Sequence, residues 1–155
     1  MSVLNSSHPI QILVVDDQDA DAFFVEQAFN QSQIKNEVHQ VSGGEDALSY
    51  LYNKGEFKDA PRPHLIILDL TLPQMDGHEI LKKIKSDVDF CDIPVVVMSA
   101  SSDENDVLKA YQNHANAYVP KCNGFEDMLD FVSAIEKFWF LKARLPKKAN
   151  SEEAA

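Results

Sequence analysis

The sequence predicts an α/β fold: a doubly wound sheet of five parallel strands with helices on both faces. Three observations carry this. Three short apolar runs, Ile12-Leu13-Val14-Val15, Leu65-Ile66-Ile67-Leu68 and Pro94-Val95-Val96-Val97-Met98, are continuous rather than alternating, as strands buried on both faces are. Helical patterns lie between them, so that β and α alternate about five times, the signature of parallel strands joined by crossovers. Hydrophobic residues make up 45% of a 155-residue chain, enough for one core of ordinary domain size and too many for a disordered polymer.

Each element follows in order. Residues 12–15 form the first strand. Ala22, Val25 and Phe29 then recur on one face of a helix that starts near Asp19. Residues 37–41 form a second strand. Ser42, with Glu45 three residues on, reads as a capping box opening a helix that carries Ala47, Leu48 and Leu51. A polar, proline-containing connection over 54–63 leads into the third strand, and Ile80, Leu81 and Ile84 mark the helix after it. The fourth strand is followed by a helix with Asp103 at its start and Val107, Leu108 and Tyr111 along it. Residues 117–119 form the fifth strand, where Pro120, lacking an N–H, fits an edge position. The last helix runs from about Phe125 to Phe140. It carries two apolar stripes, Phe125, Leu129, Val132 and Trp139 beside Met128, Phe131, Ile135 and Phe138. Residues 1–9 read as a flexible start, 10–141 as one domain, and 142–155, without periodicity, as a tail.

Right-handed crossovers leave few ways to wind these elements, and the continuous apolar character of strands one, three and four puts them in the middle. The order 2-1-3-4-5, that of flavodoxin-like doubly wound sheets, satisfies both conditions. Such sheets bind ligands at the carboxyl ends of their strands where the winding reverses, here between strands one and three.

Composition excludes several classes of function. Lys plus Arg number 14 against 25 Asp plus Glu, a net charge of −11, which opposes nonspecific binding to nucleic acid and adsorption to anionic membranes. No apolar run approaches the roughly 18 residues of a membrane span. The first residues lack the basic and apolar regions of a signal peptide. Two cysteines, Cys91 and Cys122, fall at opposite ends of the sheet and read as reduced thiols. A cytoplasmic location follows as the expectation. The five histidines show no metal-ligand spacing and read as surface or capping residues. Gly43-Gly44 lacks the surrounding glycines of a dinucleotide loop.

Chemistry concentrates at the strand ends. Asp16 and Asp17 close strand one and Asp69 closes strand three. Aspartate after a strand is often only a turn former or cap. Three carboxylates converging at one switch point, however, repel one another unless a cation joins them, and an all-oxygen set suits a hard ion such as Mg²⁺. Ser99 ends strand four and Lys121 follows strand five. A hydroxyl and an ammonium beside such a cation make a pocket for a phosphoryl group.

Leu13-Val14-Val15-Asp16-Asp17, Leu68-Asp69-Leu70, Leu72-Pro73-Gln74-Met75-Asp76-Gly77, Ser99-Ala100 and Tyr118-Val119-Pro120-Lys121 resemble the receiver domain of two-component response regulators, over residues 11–140. Within that family, Arg62-Pro63 and Ile135-Glu136-Lys137-Phe138-Trp139 resemble the small regulators paired with bacterial phytochromes. The resemblance implies that Asp69 accepts a phosphoryl group from a phosphohistidine. It implies that Asp16, Asp17 and Asp69, with the backbone carbonyl of Thr71, bind Mg²⁺. Ser99 and Lys121 then match the switch hydroxyl and the phosphate-contacting lysine, and Tyr118 the aromatic that changes rotamer with Ser99. The implied partners are a histidine kinase, of the phytochrome kind on the narrower resemblance, and a downstream protein. The apolar surface of the last helix, next to an edge strand, points to a two-fold homodimer through helix four, strand five and that helix. The sequence departs from the family where many members have proline directly after the lysine; here Cys122 follows, so a cis bond would cost about 2.5–4 kcal/mol.

Two other functions compete. An aspartate-nucleophile phosphohydrolase would use Asp69 but needs a second aspartate two residues on as general acid, and Thr71 stands there. A flavin-binding module needs a Ser/Thr/Gly-rich phosphate loop after strand one, where Asp16-Asp17-Gln18-Asp19 would repel phosphate.

Overall fold

The computed structural model describes residues 8–146. Strands β1 (Ile10–Val15), β2 (Asn36–Val41), β3 (Leu65–Leu68), β4 (Val95–Ser99) and β5 (Ala117–Pro120) form one parallel sheet in the order β2-β1-β3-β4-β5. Helices α1 (Asp19–Asn30), α2 (Gly44–Leu51), α3 (Gly77–Ser86), α4 (Glu104–Gln112) and α5 (Phe125–Ile135) connect and follow them. The alternation and the strand order are those expected from the sequence. Most of the flexible start and the tail lie outside the described residues. Among the described residues, no helix is long and apolar enough to cross a membrane, and both cysteines are free thiols.

The period-two geometry of strands divides the apolar runs between two cores. Leu13, Val15, Ile66, Leu68, Val95 and Val97 point to one face, where Ala47 and Leu51 of α2 and Ile80, Leu81 and Ile84 of α3 cover them. Ile12, Val14, Leu65, Ile67, Val96 and Met98 point to the other, under Val25 and Phe29 of α1 and Met128, Val132 and Ile135 of α5. Continuous apolar strands are what two covered faces require.

The structure differs locally from the sequence expectations in three places. Gly43, not Ser42, caps α2, and it makes no side-chain cap bond, so the capping box is absent. In α4 the side chain that enters the core is Ala110, while Leu108 and Tyr111 stay exposed. Only a narrow stripe of this helix meets the sheet. The last helix does not run unbroken to Phe140: α5 ends at Ile135 and a π-helical segment, Glu136–Lys142, continues it. The wider π turn breaks the stripes read at α-helical spacing, so that Phe140 is buried and Phe138 is exposed. All peptide bonds among the described residues are trans, Lys121–Cys122 included.

One close approach holds the loop after β3 to α3. The Gly77 N–H donates to Leu70 O at 3.0 Å, and a Cβ on Gly77 would lie 2.4 Å from Leu70 Cα and 2.7 Å from Asp69 O. These neighbours are backbone and cannot turn aside. Gly77→Ala is expected to destabilise the protein by about 1–3 kcal/mol, read as a lower urea midpoint with an unchanged slope.

Candidate functional site

The strand register continues past the strand ends and places the polar residues there. Asp16 N–H donates to Val41 O at 3.0 Å, Asp69 N–H to Val15 O at 2.9 Å, and Lys121 N–H to Ser99 O at 2.9 Å. Each residue is thus locked by a ladder bond to the neighbouring strand just where its own strand leaves the sheet. Asp16 and Asp69 are buried, and Asp17 stands at the open rim. Oxygen atoms of Asp16, Asp17 and Asp69 lie within 4.8 Å of one another, as the sequence led us to expect.

Lys121 reaches into this group. Its Nζ lies 3.0 Å from Asp16 Oδ2, 2.6 Å from Asp21 Oδ2 and 3.2 Å from Asp69 Oδ2. Burial works against its charge, but the bonds to Asp21 and Asp16 and the charges of Asp16 and Asp69 prevail and hold its pKa above the usual lysine value. Burial likewise raises the Asp16 pKa, opposed by the Gln18 N–H and by Lys121 and reinforced by Asp69. The remaining Asp69 oxygen, Oδ1, accepts the Thr71 N–H at 3.1 Å. The loop after β3 therefore orients the Asp69 carboxylate from behind while Lys121 holds it in front. A cavity of about 120 Å³, lined in part by Asp16, Asp21, Asp69, Lys121 and Phe24, opens beside these groups.

Asp21 escaped the reading of the sequence because an acidic residue in the first turn of a helix is ordinary dipole chemistry. Its position, one helical turn beyond Asp17, was the available signal. Three carboxylates around one ammonium, with Asp17 beside two of them, leave the site strongly negative. The oxygen donors of Asp16, Asp17 and Asp69 fit a hard divalent cation, which would offset that repulsion.

The neighbouring half of the site is a hydrogen-bonded chain. Ser99 is buried at the end of β4, and its Oγ accepts the Ser101 N–H at 3.2 Å. The Tyr118 ring is half-buried against the α2/α3-side core, and its hydroxyl donates to Ser101 O at 2.8 Å. Ser101 Oγ donates to Asp106 Oδ2 at 2.6 Å, and His78 Nε2 lies 3.3 Å from Asp106 Oδ1. The Ser101 hydroxyl, and then His78, hold the Asp106 carboxyl below its usual range. His78 is buried, contrary to the surface or capping role expected for a lone histidine. Its partner lies 28 residues away on another helix, which no local pattern reveals.

Residues 12–133 match the family model described as the response regulator receiver domain. The chain is 40% identical over 141 residues to the response regulator Rcp1 of Synechocystis sp., covering 91% of this chain and 96% of that one. Among solved structures, it is similar to the phosphorylated cyanobacterial phytochrome response regulator RcpA, with a TM-score of 0.85 at 40% identity over 90% of this chain and 100% of that one. The Mn²⁺-bound form of Rcp1 gives a TM-score of 0.83 at the same identity and coverage.

The crowding of like charge makes a thermodynamic prediction. Asp17→Ala is expected to raise the melting temperature in chelator, because one repelling charge is gone. It is expected to gain less than the parent when Mg²⁺ is added; a tenfold weaker site loses about 1.4 kcal/mol of ligand stabilisation at saturation. Thermal melts with and without Mg²⁺ check both signs.

Proposed function

The chain belongs to the response regulator receiver domain family, and on that premise we propose that Asp69 is the aspartate through which it accepts a phosphoryl group. The observation that carries this is the buried Asp69 carboxylate, held by the Thr71 N–H on one oxygen and facing Lys121 with the other. A nucleophile so fixed needs little reorganisation before in-line attack on a phosphohistidine phosphorus. Its oxygen forms the new P–O bond as the histidine nitrogen leaves with the electron pair of the broken P–N bond.

Asp16, Asp17 and Asp69, with the Thr71 carbonyl, would hold Mg²⁺, which supplies neutralisation of the charge that gathers on the transferred group. Lys121 adds a second cationic contact for the phosphoryl oxygens. Ser99, one strand over, is placed to donate a hydrogen bond to them. These contacts exist only with the phosphoryl group present, so they are the differential free energy that moves the switch. Tyr118, tied to the same loop, carries the change toward the surface of α4 and β5. Hydrolysis of the acyl phosphate at this site would time the signal. Thr71 in place of an acidic residue two positions after Asp69 supports a switch over a phosphohydrolase with a general acid there.

The partners we propose are a histidine kinase of the phytochrome class, on the likeness to RcpA and Rcp1, and a downstream protein that reads the phosphorylated form. The exposed Leu108 and Tyr111 of α4, beside the edge strand β5, and the exposed Phe138 of the segment that continues α5 support a homodimer through helix four, strand five and the last helix. A cytoplasmic site of action accords with these partners.

Two measurements test the assignment. Wild type with acetyl phosphate and Mg²⁺ is expected to gain one phosphoryl mass, and Asp69→Asn none; an undiminished adduct on Asp69→Asn refutes the assignment. Lys121→Ala is expected to keep phosphoryl uptake at a reduced rate and to lose the change in assembly or partner capture that phosphorylation causes in wild type. Ser99→Ala is expected to weaken that change. Sedimentation and pull-down, with and without donor, read the outcome.

A further inference from the structure

The path usually available to such a site runs from the phosphoryl group through the hydroxyl at the end of β4. The structure contains a second connection that does not pass through the Ser99 side chain. It begins at the acceptor loop, where Gly77 is pressed against the backbone of Leu70 and Asp69 with no space for a Cβ. Any displacement of that loop is therefore transmitted to the first turn of α3. His78 is the next residue. Its Nδ1 is buried without a hydrogen-bond partner, so the ring has one polar anchor, Nε2, which donates to Asp106 Oδ1 at 3.3 Å. The other oxygen of Asp106 accepts from Ser101 Oγ at 2.6 Å. The carbonyl of the same Ser101 accepts from the Tyr118 hydroxyl at 2.8 Å.

We propose that His78 and Asp106 are positioning residues that couple the loop after Asp69 to Tyr118 through Ser101, as a second route beside Ser99. Asp76 strengthens the near end, because its side chain accepts the His78 N–H and fixes the start of α3. Ser101 is the junction of the two routes: its N–H bonds Ser99 Oγ, and its hydroxyl bonds Asp106. A change at either the end of β4 or the start of α3 thus reaches the one carbonyl that holds the Tyr118 hydroxyl. The two anchors differ in exposure: the His78 side chain is 7% exposed and that of Asp106 40%. His78 is therefore the fixed post and α4, through Asp106, the element that moves on it.

The coupling rests on the reading of Asp69 as phosphoacceptor, but the contact chain is testable without it. The four tyrosines are replaced by 3-fluorotyrosine in the full chain, and the Tyr118 fluorine resonance is assigned by Tyr118→Phe. Before any donor is added, His78→Leu and Asp106→Ala are each expected to shift or broaden the Tyr118 resonance, and His78→Gln, which restores an N–H donor, to return it toward the parent position. Glu104→Ala, an exposed change on the same helix, is expected to leave it unmoved. With acetyl phosphate and Mg²⁺, His78→Leu and Asp106→Ala are expected to take up phosphate to within twofold of wild type by intact mass, while the donor-induced shift of Tyr118 falls at least twofold. In Ser99→Ala part of that shift remains, and adding His78→Leu removes it. A Tyr118 resonance indifferent to both variants, with and without donor, overturns the proposal, as does complete loss of the shift in Ser99→Ala alone. Absence of an adduct on wild type refutes the phosphoacceptor reading instead, and the measurement without donor still decides the contact chain.

Discussion

The backbone register at the carboxyl edge of the sheet is the constraint on which everything else depends. Ladder bonds from Asp16 to Val41, from Asp69 to Val15 and from Lys121 to Ser99 fix where three charged residues leave their strands. Neighbouring strands stand about 4.8 Å apart, so the Asp16 and Asp69 carboxylates meet directly from adjacent β1 and β3, whereas Lys121, two strands beyond β3, reaches them along its long side chain. A slip of one residue in any strand would turn the apolar run of that strand to the wrong faces and withdraw its functional residue from the group. The two apolar cores therefore secure the site indirectly. They hold the register, and the register aims the side chains.

What is aimed is electrostatically unfavourable by itself. Asp16 and Asp69 are buried, and Asp17 and Asp21 add charge at the rim. Lys121 offsets part of the repulsion, and its raised pKa shows how strongly the surrounding carboxylates retain its proton. Sites of this kind reduce the stability of the fold, which the covered sheet on either side outweighs. The same imbalance makes the site responsive. On the function proposed above, a cation would relieve the repulsion and a phosphoryl group would redistribute the contacts of Lys121, so that each binding event would change which arrangement of the surrounding loops is favoured.

Those loops are joined to more than the carboxylate cluster. The Ser101 backbone and side chain gather bonds from Ser99, Tyr118 and Asp106, and Asp106 reaches His78 beside Gly77. A residue with so many directional partners has few intermediate positions available. It suits an element with discrete arrangements rather than gradual deformation. The exposed Leu108 and Tyr111 of α4 lie beside Tyr118, whose N–H donates to the Tyr111 hydroxyl, so a change in the loop has an apolar surface to act upon.

The sequence by itself determined the class of the fold, which strands lie in the middle of the sheet, and the identities of Asp16, Asp17, Asp69, Ser99 and Lys121 as the group to watch; the full strand order came from likeness to flavodoxin-like sheets. These are legible because continuous apolar runs report burial on both faces, and because each polar residue follows its run directly. Pairing across helices was not legible. Asp21 looks like an ordinary first-turn acid, and His78 like a lone surface histidine, until α1 and α4 are set against their neighbours. The π-helical turn after Ile135 was also invisible to a reading at α-helical period, so the outward turn of Phe138 and the burial of Phe140 came from the tertiary structure alone. In each case the physical reason is the same. Periodicity reports which face of an element is apolar, whereas a hydrogen bond between elements depends on where two faces meet, and only packing decides that.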